Sequence, residues 1–327
     1  MMLEEWSRSL PPELANIVRG GHLAVGTFFA LSGFVLARAH TSPEWSGKSL
    51  FRYGVGRFAR VYPVYALSLA VMLPFIFESR VADKPGLLTN YGLLLQGWTG
   101  SLPVNWNTPA WSLSCEIFFY LCFPFFAIAL GRLRWTSVLA ATAAACLIPG
   151  VLRMLSVPNA WKPLFYLSDF VVGIVAARAL DLLLRSGNPL AGRGHWFYIP
   201  GLASAATLIA YPEVLGGAIN LNSALRPLNA LVLVGLALGG GLLAGGLSSR
   251  MAVFLGKASY SMYILHIPLL WWYRRLGPPL LTWIPGVVLA LVYFAWVVMV
   301  SAVVFRYVEE PANRYLRHRM LVYFTRR

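Results

Sequence analysis

The chain has 327 residues, of which 58% are hydrophobic and only 12% charged, and its mean hydropathy is +0.65. A soluble globular domain carries about a quarter of its residues as Asp, Glu, Lys and Arg, so a soluble enzyme or soluble binding module is excluded. The net charge of +15 does not point to nucleic acid, because the Arg and Lys residues cluster between apolar runs and no nucleic-acid-binding motif interrupts them.

Apolar runs of roughly 17–25 residues read as membrane helices. Met1 to Gly21 is polar, contains Pro11 and Pro12, and is neither a signal peptide nor a span, so 1–22 reads as an extracytoplasmic loop. Spans follow at 23–38, 61–78, 111–130, 135–152, 161–184, 196–211, 228–247, 258–273 and 280–305. The segment 87–98 is too short to cross and reads as an interfacial or re-entrant helix. Residues 306–327 read as a basic cytoplasmic tail. The fold class is all-α, a polytopic integral membrane helical bundle of about nine crossing helices, in one domain spanning 1–327. If the 39–60 loop is cytoplasmic, that side receives about twice as many of the 27 basic residues as the other. The C-terminus is then cytoplasmic, in a multi-pass protein of the plasma (inner) membrane whose first partner is the lipid bilayer.

Glu116 heads the apolar run of 111–130. A carboxylate there either reaches interfacial water or faces a polar cavity or partner. Arg57 and Arg60 share one helix face, where they either anchor the helix at lipid headgroups or pair with phosphate oxygens. Ser259, Tyr263 and His266 form one stripe of a helix. His266, about 14 Å in from Lys257 by the helical rise, either makes a polar interhelical contact or moves a proton. Asn107 and Trp111 are candidates for holding an acceptor, whereas Trp106 reads as interfacial belt. Ser32 and Gly33 read as helix packing, and Glu309-Glu310-Pro311 as a helix terminator with local salt bridges. Cys115 and Cys122, seven apart and about 10 Å by the helical rise, cannot form a disulfide. No metal-ligand spacing is present.

Five segments together resemble the membrane acyltransferase 3 family. Gly21 to Leu36, with Phe28-Phe29 and Leu31-Ser-Gly-Phe34, resembles its "FF-x-LSGF" element. Arg57-Phe-Ala-Arg60-Val-Tyr-Pro63 resembles its RxxR-x-YP element, and Asn107 to Glu116 its "NxPxWSLSxE" element. Leu255 to Pro268 resembles "LGxxSYSxYLxHxP", and Val308 to Arg314 the closing "ExP" element. The resemblance implies about ten membrane helices and transfer of an acyl group, acetyl foremost, from acyl-CoA to a hydroxyl of a carbohydrate, lipid-linked or other cell-surface acceptor. It implies Arg57 and Arg60 as donor-binding residues, Glu116 and His266 as catalytic, and Asn107, Trp111 and Tyr263 as substrate-binding. Gly26-Thr27 replaces the family's Asp before the paired Phe, and the family's first-helix pair, a basic residue and a His eleven later, has no counterpart. One more helix before Met1 is the expectation that follows. The alternatives are a transport-type or non-catalytic membrane component, or an inactive member lacking that His.

Overall fold

The computed structural model describes residues 10–40, 45–79, 81–100, 106–131, 134–159, 161–185, 187, 190–215, 220–276 and 286–325. The first nine residues of the expected 1–22 loop, the opening of the expected 280–305 span and the last two residues of the expected tail lie outside these. In chain order the helices are α1 (Pro12–Arg19), α2 (Ala24–Ala39), α3 (Gly47–Glu78), α4 (Lys84–Gly92), α5 (Trp111–Gly131), α6 (Trp135–Met154), α7 (Lys162–Arg185), α8 (His195–Ala210), α9 (Leu221–Leu238), α10 (Gly241–Leu247), α11 (Arg250–Leu276), α12 (Gly286–Val304) and α13 (Glu310–Thr325). No strand occurs among the described residues. Among the described residues seven helical runs are long and apolar enough to cross a membrane, so the protein is an all-α, multi-pass membrane protein. The expected spans at 161–184 and 196–211 are the helices α7 and α8, which are not among those seven.

The chain divides into two compact units, residues 1–44 with 121–249 and residues 45–120 with 250–327. The division falls inside α5.

In the first unit, α1 forms within the segment expected as the N-terminal loop. Pro12 opens the helix, where a missing N–H leaves nothing unsatisfied, and Asn16 Nδ2 donates to Ala210 O at 3.0 Å. The central element is α7, buried without interruption from Ser168 to Ala177. It lies backbone to backbone with α2. A Cβ on Gly33 would stand 2.1 Å from Phe170 O, and one on Gly173 would stand 1.9 Å from Ala30 O. Small residues permit this approach, and Ala30, Phe34, Ala176 and Ala177 pack around it. The expected span 228–247 is two helices, because Gly239 and Gly240 (φ 74° and 88°) turn the chain between α9 and α10. The opened backbone is satisfied by another loop, with Gly194 N donating to Gly239 O at 2.8 Å and Gly192 N to Leu238 O at 3.1 Å.

In the second unit, α3 and α11 run parallel. Tyr260 Oη donates to Val61 O at 2.7 Å, Trp272 Nε1 to Val71 O at 2.9 Å, and Arg275 forks onto both carboxylate oxygens of Glu78 at 2.7 and 2.9 Å. α5 starts at the middle of this pair and runs the opposite way. Asn107, just before it, reaches Ser68 and Ile264, and Tyr53 Oη donates to Tyr120 O at 3.0 Å. α4 is capped by Asp83, whose Oδ1 accepts from Gly86 N at 2.8 Å. It stops at Gly92, so only the first half of the expected 87–98 element is helix. Between α12 and α13 the chain widens into a π-turn, Phe305–Glu309. Such insertions are frequent at functional sites.

Candidate active site

All seven side chains singled out in the sequence belong to the second unit. They fall into two groups along α3 and α11.

The first group surrounds Arg57 and Arg60. Arg57 is half-buried and its guanidinium lies over the rings of Tyr53 and Tyr120, 5.9 and 5.7 Å from their centres. Its Nε is buried and has no hydrogen-bond partner among the described residues. Tyr120 Oη donates to Glu116 Oε1, one helical turn away on α5. The carboxylate of Glu116 is therefore held beside the ring that supports Arg57. Arg60 has a different fate. It forms an ion pair with Glu309, whose side chain is 1% exposed, and its Nη2 donates to Lys257 O at 3.3 Å. Ser261 Oγ donates to the other oxygen of Glu309. The Tyr260 ring stacks under Arg60 at 5.8 Å and stands within coulombic range of both Glu116 and Glu309.

The second group surrounds His266. Its Nδ1 lies 2.5 Å from the Tyr263 carbonyl oxygen. A carbonyl only accepts, so Nδ1 carries the proton and the neutral ring keeps its lone pair on Nε2. Nε2 has no hydrogen-bond partner among the described residues. Tyr293 Oη donates to His266 O, fixing the turn that carries the ring. Tyr263 Oη donates to Pro109 O at 3.2 Å. Asn107 is fully buried, with Nδ2 donating to Ser68 Oγ and Ile264 O, both at 3.0 Å. Its Oδ1 is left without a partner among the described residues, as is Oε1 of the buried Gln96. Gln96 Nε2 donates to Ala110 O at 2.7 Å. Trp106 is 3% exposed and donates from Nε1 to Leu69 O at 3.1 Å, so it is core rather than an interfacial belt. It packs on Tyr91 at 5.6 Å. Burial pushes the Tyr91 phenol up to about 12, while its oxygen faces the backbone N–H groups of Trp106 and Asn107. Trp111, the first residue of α5, is half-buried.

The two groups stand at different heights. Tyr260 is level with Val61, whereas His266 is six residues further along α11, about 9 Å by the helical rise. Glu116 is thus brought to Tyr120, whose ring supports Arg57, and His266 to Tyr263 and Tyr293, while Pro109 and Asn107 are joined to α11 through Tyr263 and Ile264. Sequence reading did not single out Tyr120, Tyr260, Ser261 or Gln96, and it took Glu309 only as part of a helix terminator with local salt bridges. Only Tyr120 carried a usable signal, its i+4 spacing from Glu116.

The acyltransferase 3 family, described as an acyltransferase domain, matches residues 1–306. The chain belongs to this family. It is 30% identical over 348 aligned residues to acyltransferase MdmB of Streptomyces mycarofaciens, covering 94% of this chain and 84% of that protein. A shorter stretch of 65 residues is 43% identical to "protein 2 in picA locus" of Rhizobium radiobacter, covering 20% of this chain and 34% of that one. No solved structure matches the chain. The protein is a membrane acyltransferase, as the resemblance implied. In this acyltransferase the RxxR pair lies on α3, the WSLSxE motif on α5 and the His266 motif on α11. Glu309 lies just beyond the matched residues.

Proposed function

We propose that this acyltransferase moves an acyl group, acetyl foremost, from acyl-CoA to a hydroxyl of a carbohydrate or other cell-surface acceptor. The observation that carries the chemistry is the fixed tautomer of His266, with Nδ1–H on the Tyr263 carbonyl and Nε2 left as a base. Nε2 takes the proton of the acceptor hydroxyl. The alkoxide oxygen attacks the thioester carbonyl, the C–O bond forms, the C–S bond breaks, and the proton ends on the CoA thiol. Transfer is direct, with no acyl-enzyme. At the other level, Arg57 is supported as the main contact for the donor's phosphates by its unpartnered, buried Nε. Guanidinium pairs with phosphate through charge-assisted hydrogen bonds. Arg60, already paired with Glu309, adds positive potential there and contributes fewer free N–H groups. Glu116 balances Arg57 through Tyr120. Asn107 Oδ1 and the Trp111 ring are the nearest candidates for holding the acceptor.

The test is thiol release from acetyl-CoA by purified protein in nanodiscs, with and without carbohydrate acceptors. His266→Gln should lower kcat by about 10²–10⁴-fold without weakening donor binding. Arg57→Ala should weaken donor binding by about 10- to 150-fold, the equivalent of roughly 1.5–3 kcal/mol. Arg57→Lys should restore only part, because the planar fork is lost. Tyr263→Phe should stay within a few-fold of wild type, since the partner of His266 is the backbone carbonyl. Acceptor-dependent release that persists in His266→Gln would remove His266 as the base, and unchanged donor affinity in Arg57→Ala would remove the donor assignment.

A further inference from the structure

The first unit holds a polar cavity of about 120 Å³, where the ends of α6, α7 and α9 come together. That is about four times a water molecule's share of the liquid, enough for one compact polar group. Arg226 lines it from the second turn of α9 and is only 4% exposed. Its Nε forms an ion pair with Asp169 Oδ2 at 3.1 Å, in a geometry poorly aligned for a hydrogen bond. Nη1 donates to Ser223 Oγ at 2.9 Å. Asp169 balances the charge of Arg226 from behind. A second cation, Arg153, forms another wall and lies over the Phe165 ring at 5.9 Å. No carboxylate among the described residues lines the cavity, so Arg153 is uncompensated and the site is short of one negative charge.

Two further features define what would fill it. The N-terminus of the 18-residue α9 lies here, with one of its N–H groups, Asn222 N, capped by Asn220 Oδ1 at 2.9 Å, and its partial positive charge favours an anion. The other polar walls are neutral, the Ser223 hydroxyl and the amides Asn159, Asn220 and Asn222, and amides both donate to and accept from hydroxyls. Tyr166 adds an aromatic face. A buried arginine within a membrane protein is expensive and marks function by default. We infer that this cavity is a binding site for a hydroxyl-bearing monoanion, a sugar or polyol carrying one carboxylate or phosphodiester. The oxyanion sits between Arg153 and Arg226, and its hydroxyls meet Asn159 and Asn222. The same chemistry is offered by a free acidic sugar and by a glycerol phosphodiester headgroup. The inference does not rest on the acyl-transfer reading, and its test reads binding alone.

Full-length protein is placed in phosphatidylcholine nanodiscs, and its thermal midpoint is followed against glucuronic acid and against glucose. The same measurement is made without sugar in nanodiscs containing phosphatidylglycerol. Stabilisation by glucuronic acid at concentrations at least 10-fold below those needed for glucose supports the site and names a free acidic sugar as the source. Stabilisation by phosphatidylglycerol alone supports it with a headgroup as the source. In either case Arg153→Gln should weaken the response about 10-fold or more. Its unliganded midpoint should match wild type, because Arg153 is exposed. Asn222→Ala should weaken the response several-fold. No stabilisation from either source, equal response to glucose and glucuronic acid, or a full response in Arg153→Gln would overturn the assignment.

Discussion

Glu309 shows how one side chain in this protein gains meaning only from a distant partner. It is buried, accepts from Ser261 and pairs with Arg60. Breaking a buried ion pair by removing one partner commonly costs 3–5 kcal/mol. Arg60 is 33% exposed and regains some hydration, so Glu309→Ala should destabilise by about 2 kcal/mol. Adding Arg60→Ala should recover part of that loss, since the uncompensated charge goes with it. Thermal unfolding of both variants in nanodiscs checks this, and a Glu309→Ala midpoint equal to wild type would show that the pair contributes nothing. The local reading of Glu309-Glu310-Pro311 fits Glu310, which bridges to Arg306 at 3.0 Å and Arg314 at 2.6 Å, each one turn away. It misses Glu309, because neighbours in sequence carry no hint of an arginine 249 positions earlier. Trp106 was misread for a similar reason. An aromatic beside a span looks interfacial until its N–H finds a carbonyl inside the bundle.

At the level of elements, helix ends carry a testable contrast. Ser156 (φ 56°) and Leu94 (φ 57°) are the two non-glycine residues with positive φ among those described. Each follows a helix in the same way. Val157 N donates to Leu152 O and Ser156 N to Arg153 O, while Leu95 N donates to Asn90 O and Leu94 N to Tyr91 O. Both are Schellman ends, in which glycine is favoured at the left-handed position. Ser156 is exposed, so Ser156→Gly should only relieve strain and stabilise by about 0.5–1 kcal/mol. Leu94 is buried. Leu94→Gly relieves similar strain but loses about 1.5–3 kcal/mol of side-chain burial, so the sign reverses. Paired thermal melts decide this, and the same sign for both would show that backbone strain is not the controlling term. The bounds of α5 and α6 were legible, because each is one long apolar run, whereas α11 extends eight residues before and three after its expected span of 258–273. The break at Gly239 and Gly240 was not, because glycine adds little to hydropathy and its positive φ depends on the Gly192–Gly194 loop against which it lies.

For the whole molecule, composition alone carried the class, and the excess of basic residues on one expected side carried an orientation. That orientation predicts that a cysteine at position 317, on α13, is protected from an impermeant thiol reagent applied outside intact cells. Labelling from outside would reverse the assignment. The division into units was beyond any reading of local pattern, since each unit is assembled from stretches that are not adjacent in sequence.

The Arg60–Glu309 pair also sets an order of events during synthesis. Arg60 leaves the ribosome 249 residues before its partner, a delay of tens of seconds at roughly 5–20 residues per second. For that interval Arg60 stands at the edge of the expected span without its carboxylate partner. The second unit closes only when α13 begins to emerge. A nascent chain stopped short of position 309 would be held in that waiting state, with its cation as the exposed mark of an unfinished protein. In a pulse-chase experiment such chains should be cleared by membrane proteases faster than chains that extend past the π-turn.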